Sequence, residues 1–216
     1  MKLGQGYAKG SAAEVEVAGL CDKWYNLPKK TFWRTHASGA MPDEPGDIYS
    51  RQTHLTGPLP WMIEVKHIRS YDLLMDVVNH RFPHPQLYGW LAEMTWQQQD
   101  YIKRYEKVPG IPPRRCIRLL VFKRNFGPGF WVGFYRDELL PPRIANGASG
   151  TYGWDQYLLV RQYITIPIPA IDVEVPGQLN DKKSPKRRVN LDAGSFVVTE
   201  WKTFIQIFTD PKNQIL

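Results

Sequence analysis

Cysteine is scarce in this chain. Cys21 and Cys116 are the only two among 216 residues; they form neither a zinc-ligand pattern nor a disulfide framework. Each has apolar neighbours and reads as a small buried hydrophobe. No run of about 18 apolar residues occurs, which argues against a membrane-spanning helix. The opening Met1-Lys2-Leu3-Gly4-Gln5-Gly6 lacks the apolar centre of a secretory signal, so a cytoplasmic location is expected. No internal repeat stands out at a solenoid period. The five histidines, His36, His54, His67, His80 and His84, lack the helical spacing of a zinc site. Acid is also the minority charge, with 21 Asp and Glu against 28 Lys and Arg, a net charge of +7. That balance suits a polyanionic partner, because lysines and arginines displace counterions from phosphates.

What is present is a globule. A hydrophobic fraction of 43% and an aromatic fraction of 13% supply one sizeable core rather than a disordered tail. Ser11 to about Tyr25 reads as a helix, with Ala13, Val17, Leu20 and Trp24 at helical spacing. Ser11 and Glu14 match a capping box that would fix its start, and Pro28 ends it. Thr31 to Thr35 is β-prone, His36 to Gly46 is a small-residue loop, and Asp47 to Ser50 resumes as a strand. Trp61 to Ile68 forms the second arm of a hairpin. Pro85 to Tyr105 is helical, with Leu87, Trp90, Leu91, Met94 and Ile102 near one face, and a proline at its start is acceptable. Ile117 to Lys123 and Phe130 to Tyr135 read as two more strands. Residues 157–175 are β-prone, 181–188 a charged loop, and 195–208 a closing helix or strand. This order predicts an α/β fold, a central mixed β-sheet flanked by helices. Residues 1–140 form the core, and 141–216 a β-rich C-terminal elaboration packed on it.

The chemistry concentrates in Ile63-Glu64-Val65-Lys66. Strand alternation sends Ile63 and Val65 to one face and Glu64 and Lys66 to the other. Asp47, on the preceding strand, brings a second carboxylate to the same edge. Two carboxylates suit Mg²⁺, a hard cation that prefers oxygen ligands, with Mn²⁺ as a substitute. Such an ion would polarise a scissile phosphate and activate water. A lysine beside it would orient the water, lower its pKa or neutralise charge on the phosphate. Acid-x-Lys triplets recur at Asp181, Glu200 and Asp210. Glu200-Trp201-Lys202 is the serious rival, because Ser195 to Val198 reads as a strand and Asp192 lies upstream. Helical angle does not choose between Glu14 and Glu16 as a further acid.

The N-terminal third resembles a known family. Lys9-Gly10-Ser11-Ala12-Ala13-Glu14-Val15-Glu16, Phe32-Trp33-Arg34-Thr35-His36-Ala37-Ser38-Gly39-Ala40, Gly46-Asp47-Ile48 and Ile63-Glu64-Val65-Lys66 are similar to the ordered motifs of Holliday junction resolvases. These are the archaeal type and its phage relatives within the PD-(D/E)XK nuclease superfamily. The resemblance covers roughly residues 9 to 70, more weakly to Asn125. It implies a restriction-endonuclease-like core, metal-dependent hydrolysis of branched DNA, and a two-fold homodimer suited to a two-fold junction. It implies catalytic residues Glu14, Asp47, Glu64 and Lys66, with the three acids holding the metal. Arg34 would contact DNA phosphate or support the metal site, and Ser38 would lie on the loop beside it. Lys123 and Arg124 would join the DNA-binding surface, and Arg114-Arg115 and Lys182 through Arg188 are further basic stretches that would track it. Gln97, Gln98 and Tyr101 resemble a Gln-and-Tyr helix element of other nucleases in the superfamily, but a plain polar helix face is the preferred reading of them. The chain departs from the family where Val15 replaces a frequent arginine, in the long connection from Asp47 to Glu64, and from Gly147 onward, where no counterpart is placed. Two other functions stay open: a restriction, repair or replication nuclease acting on duplex DNA, and a non-catalytic basic DNA-binding protein.

Overall fold

A computed structural model describes residues 5–35, 46–50, 61–68, 85–105, 116–124, 129–139, 163–175 and 186–209. The first helix, α1 (Gln5–Trp24), starts a turn and a half before the expected Ser11. Ser11 is therefore interior and is not the N-cap. Gly10 in its path weakens a helix by about 1 kcal/mol relative to alanine but does not break it as proline would. One flank of α1 is apolar, and Ala13, Val17, Ala18 and Cys21 are all buried. The helix ends before Pro28 is reached, because Asn26 takes a left-handed φ of 52°. There the Asn26 amide donates to the Lys23 carbonyl and the Leu27 amide to the Asp22 carbonyl, the paired bonds of a Schellman cap. The buried Asp22 side chain then accepts from the amides of Lys30 (2.7 Å), Thr31 (3.1 Å) and Phe32 (2.9 Å). This carboxylate ties the end of α1 to the strand that follows.

Among the described residues seven strands form one mixed sheet in the order β1-β2-β3-β4-β5-β9-β6. They are β1 (Phe32–Arg34), β2 (Ile48–Ser50), β3 (Trp61–Ile68), β4 (Ile117–Arg124), β5 (Phe130–Tyr135), β6 (Tyr163–Ile168) and β9 (Gly194–Glu200). The expected hairpin arms β2 and β3 pair antiparallel through Ile48 and Ile63. β3 and β4 run parallel with Glu64 opposite Leu120. Parallel neighbours need a long crossover, and the chain between them includes α2 (Pro85–Tyr105).

Alternation divides the core in two. Ile63, Val65, Leu119, Val121, Val132, Phe134 and Val197 pack with α1 and with α4 (Trp201–Thr209). Met62, Leu120, Phe122, Phe196 and Val198 pack on the other face with Leu87, Leu91 and Met94 of α2. A second antiparallel pair, β7 (Ile171–Val175) with β8 (Arg187–Leu191), lies against α2. Arg187 stacks 4.6 Å from the Trp96 ring centre. Arg187 and Arg188 thus belong to a strand rather than to the end of a charged loop. A four-residue helix, α3 (Arg136–Leu139), follows β5.

Residues 195–208, read as helix or strand, are both. The segment through Glu200 is β9, inserted between β5 and β6, and buried on both faces by Phe196, Val197 and Val198. Its Phe196 ring lies over Gly133, where an added Cβ would come within 2.4 Å of it. From Trp201 the spacing changes to helical, placing Trp201 and Phe204 together in the core. No helix among the described residues is long and apolar enough to cross a membrane.

Candidate active site

Asp47 stands just before β2, where its backbone is fixed from two sides. Its amide donates to the Ile63 carbonyl (2.7 Å), and its own carbonyl accepts from the Thr35 amide (2.8 Å). Its side-chain Oδ2 accepts from the Val65 amide at 2.8 Å. Gly46 makes this close approach feasible. It has a φ of 84°, and a Cβ there would lie 2.7 Å from the Ile63 carbonyl oxygen, so a side chain is excluded both by conformation and by space. The Gly46 amide donates to Gln97 Oε1 on α2 at 3.0 Å, and the Gly46 carbonyl accepts from the Thr35 hydroxyl at 3.1 Å.

Glu64 and Lys66 share the β3 face that carries Met62 toward α2, as alternation predicts. The Lys66 ammonium donates to Glu64 Oε1 at 2.6 Å and to Glu93 Oε2, from α2, at 3.2 Å. Glu64 is 3% exposed. Its second oxygen, Oε2, is buried with no hydrogen-bond partner, and so is Gln97 Nε2.

Burial pushes the Asp47 carboxyl well up from its ordinary range, and repulsion from Glu64 adds to it; the Val65 amide and Lys66 oppose the shift, and Glu14 reinforces it. Glu64 is pushed up by burial, against the pull of Lys66, with Glu93 and Glu14 adding repulsion. Burial alone would lower Lys66, but Glu64 and Glu93 hold its ammonium protonated and raise it. Glu14 lies within this electrostatic field from α1, and its Oε2 accepts from Arg34 Nε at 2.8 Å. Four carboxylates, Glu14, Asp47, Glu64 and Glu93, therefore share two cations, Arg34 and Lys66.

The structure thus brings Asp47, Glu64 and Lys66 together and selects Glu14 over Glu16. Glu16 is exposed and pairs with Lys123. The expected three-acid ligand set is not assembled. Among the described residues no group of three or more His, Cys, Asp or Glu side chains is placed to hold a metal ion. Arg34 holds Glu14, and Lys66 occupies one oxygen of Glu64. The remaining pair, Asp47 and Glu64, still fits Mg²⁺, which is commonly held by one or two carboxylates while keeping waters of its own. The Glu64 Oε2 is an unbonded acceptor, and a cation would offset the burial that chiefly raises both acids, together with the repulsion of Glu64 on Asp47.

The other expected residues are dispersed. Arg34 is committed to Glu14, which leaves it supporting the site. Lys123 is spent on Glu16 and lies 5.1 Å from the Phe130 ring centre. Arg124 closes β4. Ser38, Arg114, Arg115, Lys182, Lys183, His36, His54, His80 and His84 lie outside the described residues. His67 sits on β3 one residue past Lys66, and alternation sends it to the opposite face. In the rival triplet, Glu200 ends β9 exposed while Trp201 and Lys202 begin α4, so strand alternation does not unite them.

One contributor was not anticipated from sequence, and another was named there with a plainer explanation. Glu93 was missed altogether, and Gln97 looked like a residue of a polar helix face. They lie four apart on α2, hence on one side of it, and Gln97 is buried. Gln98 and Tyr101 are not a plain solvated face either. Gln98 donates to the Cys116 carbonyl and to Glu138 (3.0 Å), which also pairs with Arg118 at 2.7 Å, while Tyr101 is buried in the α2 core.

No protein-family model, no curated protein and no solved structure matches the chain.

Proposed function

We propose that this chain is a divalent-metal-dependent endodeoxyribonuclease, and that its preferred substrate is branched DNA of the four-way-junction kind. One observation carries the reading. Two acids, Asp47 just before β2 and Glu64 on β3, meet a lysine on one face of the sheet, with both acids buried, Glu64 repelling Asp47, and one Glu64 oxygen left without a bond. A purely structural role does not account for this arrangement, because an unsatisfied buried carboxylate oxygen costs stability. The resemblance of Glu14, Asp47, Glu64 and Lys66 to ordered resolvase motifs supports the same reading, with β1 to β4, α1 and α2 as a restriction-endonuclease-like core.

Asp47 and Glu64 would hold Mg²⁺ or Mn²⁺. The bound ion supplies polarisation of the scissile phosphate and a water of lowered pKa. Lys66 is held protonated by Glu64 and Glu93. That charge suits it to stabilise electrostatically the charge growing on the phosphate oxygens. Glu14 deepens the negative potential of the site while Arg34 keeps it in place. A homodimer would present two such sites to opposed strands.

Labelled four-way junction and linear duplex DNA, incubated with protein in Mg²⁺ or in chelator, test the proposal. Metal-dependent cutting of the junction in preference to the duplex is the expected result. Equal cutting of both would move the reading to a duplex nuclease. Binding without cutting, falling with salt, would mark a non-catalytic DNA-binding protein.

A further inference from the structure

We propose that Glu93 is a positioning residue that receives Lys66 when a divalent cation displaces it from Glu64. The proposal rests on the metal-dependent reading above and assigns a part to a residue that reading does not use. In the structure one ammonium bridges two carboxylates, at 2.6 Å to Glu64 and 3.2 Å to Glu93. The two acids differ in depth. The Glu64 side chain is 4% exposed, whereas those of Lys66 and Glu93 are each 20% exposed. Glu64 is thus the floor of the site, and the Lys66–Glu93 pair lies toward its mouth.

A doubly charged ion on Asp47 and Glu64 would carry twice the charge of the ammonium and compete for the same carboxylate. Lys66 must then yield. Without a second acceptor it would swing into solvent and take its charge away from the phosphate. Glu93 sits one hydrogen bond away on α2, which is anchored by buried Leu87, Leu91 and Met94 and clasped to the Asp47 loop through Gln97 and the Gly46 amide. The ammonium therefore needs only to shorten one existing contact and lengthen the other. Glu93 keeps the charge local while Glu64 becomes free for the ion.

Calorimetric titration of Mn²⁺ into metal-stripped protein tests this with four full-length proteins: wild type, Glu93→Gln, Lys66→Met and the double variant. Lys66→Met, lacking the competitor, should bind Mn²⁺ about threefold or more tightly than wild type. Glu93→Gln alone should weaken binding about fivefold, because Lys66 then stays wholly on Glu64. In the Lys66→Met background the same substitution should change affinity less than about twofold. An equal weakening in both backgrounds would overturn the proposal, since Glu93 would then act on the ion directly. No effect of Glu93→Gln in either background would overturn it too. Wild type that takes up no Mn²⁺ refutes the metal-dependent reading itself, a result distinct from both. Thermal melts verify that each variant is folded. Should Glu93→Gln not fold, Glu93→Asp, which keeps the charge but withdraws it by one methylene, should show a smaller weakening that again vanishes with Lys66→Met.

Discussion

Asp47→Asn should make the metal-free protein more stable while destroying its activity. Asp47 is 4% exposed, and burial and Glu64 raise its carboxyl above the ordinary value of 3.8. An acid whose folded-state pKa is raised contributes stability below its unfolded pKa. That contribution is lost as pH climbs through the folded value. At neutral pH the native state therefore carries a penalty for ionising Asp47. Asparagine removes the charge yet keeps an oxygen to accept from the Val65 amide. A buried charged group that is imperfectly satisfied costs about 1–3 kcal/mol, and relief of that order is expected. For a chain of this size that is roughly 2–12 °C in melting midpoint. Melts of wild type and variant in chelator, taken from pH 4 to pH 8, are the assay. The gap between them should be small near pH 4 and widen as pH rises. With Mn²⁺ present the wild type should recover and the variant should not. A variant less stable than wild type at pH 8 in chelator would refute the reasoning, because Asp47 would then be a stabilising structural charge.

Lys66→Met should lower the rate of junction cleavage at saturating metal by about 100-fold or more, with junction affinity in gel-shift assays falling far less; loss of binding alone would place Lys66 outside the chemistry. Gly46→Ala should cost about 2–4 kcal/mol in urea unfolding, since it forces a side chain onto a φ of 84° and against the Ile63 carbonyl. Asp22→Ala should cost about 3 kcal/mol by the same measurement, leaving the amides of Lys30, Thr31 and Phe32 without their acceptor.

Where hydrophobic periodicity was strong and prolines or glycines bounded it, the sequence could be read to the residue. Trp61–Ile68, Pro85–Tyr105 and Phe130–Tyr135 all have the expected limits. Glu64 and Lys66 share a face because alternation is a local property of any strand. Partners across long sequence separation were not legible. Arg34 meets Glu14 across 20 positions and Lys66 meets Glu93 across 27, and nothing in either neighbourhood announces the other. Gln97 looks like a residue of a solvated helix face because a polar side chain carries no local sign of burial. The start of α1 was misplaced because Ser11 and Glu14 satisfy a capping pattern that the helix runs straight through. The ambiguity over residues 195–208 was real: a strand buried on both faces and the helix behind it are equally apolar, and only the change of spacing at Trp201 separates them.

The placement of β9 governs the order in which the molecule can be assembled. Among the described residues β6 pairs within the main sheet only with β9, and β9 in turn pairs the second edge of β5. Among the described residues, a chain that has produced everything up to Ile168 lacks the strand that joins β5 to β6. Docking of residues 194–200 pairs one edge of β5 and one edge of β6 in one step, and α4 then covers Phe134 and Trp61 from behind. Truncation before Gly194 would therefore do more than trim a tail: it would part β6 from the sheet and leave sticky edges on β5 and β6 for self-association.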